Sequence, residues 1–302
     1  MLPFKPDYSA FRLMTEPAKD NAEVWRLGLG IISIIVSFVV MSTGLSVLLF
    51  QFWTHGDQAI DLASTVVSGS TPAGVLIAMG SIGILSVSAY LVTEFIHNRS
   101  GLTLFGPVSL ATTQARQVLP GLFAILAIAL VLTLIVLPGP LLPNLTMARW
   151  LVLLPLTIAV LLLQTASEEI LFRGYLQSQL GGMTSNPMIW MLLPSVVFAS
   201  LHWAPGTFGE NAIWPVLFAG LMGLLAADLT ARSGTLGPAI ALHFVNNFGA
   251  IALVAPQEEL SGLALWTFPF GPSDEAAMLA LLPMDMIMII AFWLVCRVAM
   301  RR

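Results

Sequence analysis

Eight apolar stretches dominate this chain, near residues 28–52, 73–94, 118–138, 150–172, 187–203, 213–231, 236–254 and 278–298. A bilayer span takes roughly 20 mainly apolar residues, and most of the stretches reach that length. Breakers separate them: Gly56 with Asp57, Ser70 with Pro72, Pro138-Gly139-Pro140, Gly181-Gly182, Pro205-Gly206, Ser233-Gly234 and Gly271-Pro272. Only 9% of the residues are charged and 57% are hydrophobic, whereas a soluble domain carries about 25% charge. So few charges cannot cover a water-exposed surface, and the natural solvent is the lipid bilayer. The expected fold is all-α, a polytopic transmembrane helix bundle of about eight spans. Residues 27–302 form one membrane domain, and residues 1–26 read as a polar cytoplasmic tail. The first apolar run exceeds the short core of a cleavable signal peptide.

The charges test this count. Eight spans put both termini on one side, together with Lys5, Arg12, Lys19, Arg26, Arg99, Arg116, Arg232, Arg297, Arg301 and Arg302. The opposite loops hold Asp57, Asp61, Glu210, Glu258, Glu259, Asp274 and Glu275, with Arg149 as their basic exception. Cytoplasmic loops are the basic ones, so both termini are expected in the cytoplasm, in a bacterial inner membrane. The slightly negative net charge and the lack of a basic patch exclude a nucleic-acid partner. A lone Cys296 excludes an internal disulfide and a cysteine metal cluster.

Ionisable groups in hydrocarbon cost at least about 2.5 kcal/mol on insertion scales, so each needs a reason. Asp228 and Arg232 stand four apart and read as an ion pair. Glu94, His97 and Arg99 close a span and read as solvated, as do His55 and Asp57 in a loop. Residues 99–117 read as an amphipathic interfacial element, and Ala219, Gly223 and Ala227 as a helix-packing stripe. Asp285 stands near the outer end of the last span.

Three sites resist such readings: Ser167-Glu168-Glu169 through Arg173-Gly174, Phe198 through His202, and His243 through Asn247. Neighbouring helical residues project about 100° apart, which separates the two glutamates. Glu169 and Arg173 are four apart with the acid first, the favourable order for a pair. Glu168 lies over Gln164 and Phe172 without a basic partner, leaving its carboxylate free to act as a base. His243 and Asn247 share a face and offer two donors to a developing oxyanion. An antiparallel hairpin sets Glu168 and His202 nearly level. All three sites converge if the polar tip, Gln177 to Asn186, projects beyond the membrane. The stretch from Trp203 to Asn211 would then be irregular backbone lining a wet cavity.

These residues resemble the three ordered motifs of the CPBP intramembrane proteases, a family that includes type II CAAX prenyl endopeptidases, Abi-type proteins and lysostaphin-resistance-like proteins. The resemblance rests on Glu168-Glu169-x-x-x-Arg173, Phe198-x-x-x-His202 and His243-x-x-x-Asn247 and covers about residues 150–255. It implies hydrolysis of a peptide bond in a membrane-associated protein or peptide. By resemblance, Glu168 and His202 activate water, His243 and Asn247 form the oxyanion hole, and Glu169, Arg173 and Phe198 support the site.

Two other functions fit the same residues. One is a non-catalytic membrane binding or immunity protein of the same family. The other is a proton-coupled transporter, in which Glu168 and the histidines relay protons. No cofactor is favoured. The alternative is a zinc ion held by His202, His243 and Glu168, but the usual His-Glu-x-x-His helix motif is absent.

Overall fold

A computed structural model describes residues 6–53, 64, 66–137 and 139–301. Lys5, His55, Gly56, Asp57, Asp61, Pro138 and Arg302 lie outside the described residues. Nine principal helices are described. They are α1 (Arg12–Lys19), α2 (Val24–Trp53), α3 (Pro72–Phe95), α4 (Val108–Val136), α5 (Met147–Met183), α6 (Met188–Ser200), α7 (Ile213–Ser233), α8 (Gly237–Leu253) and α9 (Glu275–Met300). Among the described residues, six helical stretches are long and apolar enough to cross a membrane, while α6 and α8 are shorter apolar helices. The protein is an integral membrane protein with an all-α bundle.

The burial pattern is that of a lipid-solvated bundle. On α2, Val36, Val39 and Val40 are exposed, as are Val131 and Leu134 on α4. Such a surface is stable only against hydrocarbon. The interior holds polar side chains instead, including Gln164, Thr165, Ser167, Glu169 and Arg173 on α5. Each intramembrane polar group must find a partner inside the protein.

The first and last described segments lie at the same end of the bundle, as an even span count requires. Tyr8 donates to Asp228 Oδ1 at 2.8 Å, Trp293 Nε1 donates to Asp228 Oδ2 at 2.8 Å, and Gln117 donates to the Ala299 carbonyl. The expected Asp228–Arg232 pair closes there at 2.8 Å. At the opposite end, Leu142–Pro143 (β1), Val254–Ala255 (β2) and Trp266–Thr267 (β3) form a small sheet in the order β1-β3-β2. Strand β3 pairs antiparallel with β1 and parallel with β2. Asn144 Nδ2 reinforces it by donating to the Ser261 and Ala264 carbonyls. Two-residue strands carry no sequence periodicity, so this sheet has no signature in the chain.

The polar N-terminal segment is part of the fold rather than a loose tail. Phe11, in the turn just before α1, and Met14 and Ala18 of α1 are buried. Gly181 and Gly182, which carry no side chain, let Phe11, Thr15 and Ala18 approach the end of α5. Phe11 and Tyr8 pack on Trp190 with centroids 4.7 and 5.5 Å apart. Gln177, Ser178 and Gln179, expected at an exposed polar tip, are fully buried; Gln177 donates to the Ala227 carbonyl and Gln179 to the Asn21 carbonyl. Residues 101–105 form a 3₁₀ turn with Leu104 buried, and α4 begins at Val108, almost three turns earlier than its apolar run suggests.

Burial also corrects the reading of the α3 end. His97 is fully buried and Arg99 nearly so, rather than solvated. His97 Nε2 lies 2.9 Å from Tyr175 Oη and Nδ1 lies 3.1 Å from the Asn21 carbonyl, while Arg99 donates to Ser178 at 3.2 Å. Burial lowers the His97 pKa below its ordinary 6.5, opposed by the Asn21 carbonyl and helped by the nearby Arg99 and Arg26 charges. The unfolded chain therefore binds more protons than the folded one below pH 6.5. Stability is present at neutral pH and is lost as pH falls from about 6.5 through the folded-state value. The detergent-solubilised protein should melt at a lower temperature at pH 5.5 than at pH 7.5. That slope should flatten in His97→Gln, and an unchanged slope would contradict the assignment.

Candidate functional site

The site is built on a local change of helix type. α5 runs as an α-helix to Glu169, then widens into a π-helix over Ile170–Gln177. The Ile170 amide is shared by the Ala166 and Ser167 carbonyls. Wide turns of this kind are uncommon and frequent at functional sites. Similar segments open α6 at Met188–Leu192 and close α8 at Phe248–Leu253. The three motifs thus sit beside irregular turns on three packed helices.

The two adjacent glutamates separate as their helical angle requires. Glu169 is completely buried, and its Oε1 accepts from Arg173 Nη1 at 2.8 Å. Arg173 Nη2 donates to the Gly223 carbonyl of α7 at 3.1 Å. Its guanidinium lies over the Phe198 ring, 4.8 Å from the centroid. The small residue at 223 matters here, because a Cβ would stand 3.3 Å from Arg173 Nη2 and 3.1 Å from Ser195 Cβ. Glu168 keeps 14% of its side chain exposed, so water can reach it.

His243 stands between the glutamates. Its Nδ1 lies 2.8 Å from Glu169 Oε1, and its Nε2 lies 3.5 Å from Glu168 Oε2. Glu169, paired with Arg173, can only accept, so Nδ1 carries a proton. The second contact is longer than a normal hydrogen bond.

Asn247 reaches Glu168 through a residue the sequence reading did not assign. Asn247 Nδ2 donates to Gln164 Oε1 at 2.9 Å, and Gln164 Nε2 donates to Glu168 Oε1 at 2.7 Å. The only sequence signal for Gln164 is its position one turn before Glu168. His202 lies just past α6 on the rim: its Nδ1 is 2.9 Å from the Phe198 carbonyl, and its ring packs on Phe198 at 4.7 Å. Phe198 also packs on Phe172 at 5.0 Å and on His243 at 6.1 Å. Among the described residues His202 makes no direct ion pair with Glu168; Phe198 connects it to the cluster. Trp203 to Asn211 is less irregular than expected, with a helical turn at Pro205–Phe208 and a 3₁₀ turn at Gly209–Ala212.

Glu168, His202 and His243 do not assemble as a ligand set. Among the described residues no three His, Cys, Asp or Glu side chains converge as metal ligands. His243 has both ring nitrogens directed at the glutamates.

Comparison with known proteins bears on the same segment. Residues 148–249 match the family model described as type II CAAX prenyl endopeptidase Rce1-like. This segment is similar to that family. The Rce1-like segment runs from the start of α5 into α8 and contains all three motifs. The chain is also 25% identical over 115 residues to the uncharacterized protein YyaK of Bacillus subtilis, a match spanning 38% of each chain. No solved structure matches.

Proposed function

We propose that the protein is an intramembrane endopeptidase that hydrolyses a peptide bond of a membrane-associated protein or peptide, in the manner of CAAX processing. The observation that carries this reading is the cluster of Glu168, His243, Glu169 and Arg173, in which one carboxylate is sequestered and the other is partly open to water. In this reading Glu168, assisted by His202 on the rim, takes a proton from water. The water oxygen attacks the scissile carbonyl carbon. The developing oxyanion accepts from His243 and from the second Asn247 amide proton, since each amide nitrogen carries two. The carbon–nitrogen bond then breaks, and Glu168 delivers its proton to the leaving amine. Glu169 and Arg173 hold the imidazole without entering the reaction.

The mechanism is glutamate-dependent, with no step through a metal. Elemental analysis of active, purified protein tests this. Activity should persist after chelation, without stoichiometric zinc. Zinc lost together with activity and restored by zinc alone would make His202, His243 and Glu168 ligands and overturn the mechanism.

The end carrying the first and last described segments also carries Arg12, Lys19, Arg26, Arg99, Arg232 and Arg301, and its proposed side is the cytoplasm of a bacterial inner membrane. Cysteines placed at Glu210 and Glu259 should react with an impermeant reagent from outside the cell. Their labelling from the cytoplasmic side alone would reverse the orientation.

A further inference from the structure

A cavity of about 220 Å³ lies between α4, α7, α8 and α9. Its wall is mostly apolar, with Leu126, Leu130, Phe218 and Met284. Three polar residues break that wall, Thr133, whose hydroxyl donates to the Ala129 carbonyl, Asn246 and Asp285. Asp285 stands about ten residues into α9, roughly 15 Å from the helix start and well inside the span. Among the described residues its carboxylate has no hydrogen bond and no ion pair, and it borders the cavity. An acidic group at such depth calls for a partner, and a cavity beside it has room for one. The volume accommodates about seven water-sized groups at ~30 Å³ each.

We propose that this cavity binds a primary ammonium group carried on a short apolar stem. The stem fills the space among the leucine, phenylalanine and methionine side chains. The ammonium pairs with Asp285, a charge-assisted contact that is strong in low dielectric. The Asn246 carboxamide offers a further acceptor. Asn246 Nδ2 donates to Asn247 Oδ1 at 3.1 Å, and Asn247 leads through Gln164 to Glu168. An occupant that engages Asn246 therefore bears on the candidate catalytic cluster through four consecutive hydrogen-bonding side chains. The binding itself does not depend on that cluster being catalytic.

The test uses the full-length protein in detergent, with thermal stability measured against n-butylammonium chloride, sodium chloride at equal ionic strength, and n-butanol. Saturable stabilisation by butylammonium is expected, with butanol weaker by about tenfold or more. The effect should vanish in Asp285→Asn and in Ala129→Leu, which fills the cavity and leaves the carboxylate in place. Glu168→Gln should retain it, which separates this binding from the catalytic reading. Equal responses to the amine and the alcohol, or a butylammonium response unchanged in Ala129→Leu, would overturn the proposal. A lysine side chain of a substrate and a free amine share this chemistry. Tighter binding of N-acetyl-lysine methylamide than of butylammonium identifies the lysine as the source, and weaker binding identifies the free amine.

Discussion

Glu168→Gln should lower the rate of peptide hydrolysis by about 10²–10⁴-fold, the usual contribution of a positioned general base, while the melting temperature stays close to that of the unaltered protein. Glutamine is nearly isosteric with glutamate and can still accept from Gln164, which holds Glu168 Oε1 at 2.7 Å. What it cannot do is take a proton from water. The open exposure of Glu168 limits the structural cost, because its side chain is not sealed inside the bundle. Turnover and thermal unfolding measured on the same preparation check this. Near-normal turnover would remove Glu168 from the base role.

Glu169→Gln should behave differently, losing stability as well as activity. Glu169 is fully buried between Arg173 and His243, 2.8 Å from each. Removing its charge leaves the Arg173 guanidinium without a counter-ion in low dielectric. Breaking a buried pair from one side costs roughly 3–5 kcal/mol. His243 is left with a neutral amide oxygen in place of a carboxylate, a weaker acceptor for its Nδ1 proton, so the ring is held less firmly. Lower yield of folded protein and a clearly lower melting temperature should accompany the lost turnover. If Glu168→Gln and Glu169→Gln lose activity while remaining equally stable, the division of labour between the two residues is wrong.

The contrast between these glutamates was legible in the sequence, because helical geometry fixes which of them meets Arg173. The helical class and most segment positions were legible for a similar reason, since runs of apolar residues have one stable partner, lipid. The partner that orients His243 was not. Its spacing from Asn247 suggested a shared face, and nothing in that spacing reveals Glu169, a tertiary contact across 74 positions of chain. Gln164 was overlooked because a neutral side chain in an apolar run carries no charge signal. The π-helical turn after Glu169 was hidden because it changes hydrogen bonding without a distinctive residue. Charge density misled at the N-terminus: α1 is polar on one side, while the buried Phe11 and Ala18 pack on Gly181 and Gly182 at the end of α5. His97 and Arg99 looked solvated for the same reason, since nothing in their own segment reveals Tyr175 and Ser178 above them.

The central claim is that Glu168 activates water against a peptide bond within the membrane. It is tested most directly by mass spectrometry of membrane-anchored peptides incubated with the purified protein in liposomes prepared in ¹⁸O-labelled water. The account predicts cleavage at a defined bond by the unaltered protein, one heavy oxygen in the new carboxyl terminus, and no such product with Glu168→Gln. Peptides that remain intact with the unaltered protein, or labelled product formed equally by both proteins, would contradict it.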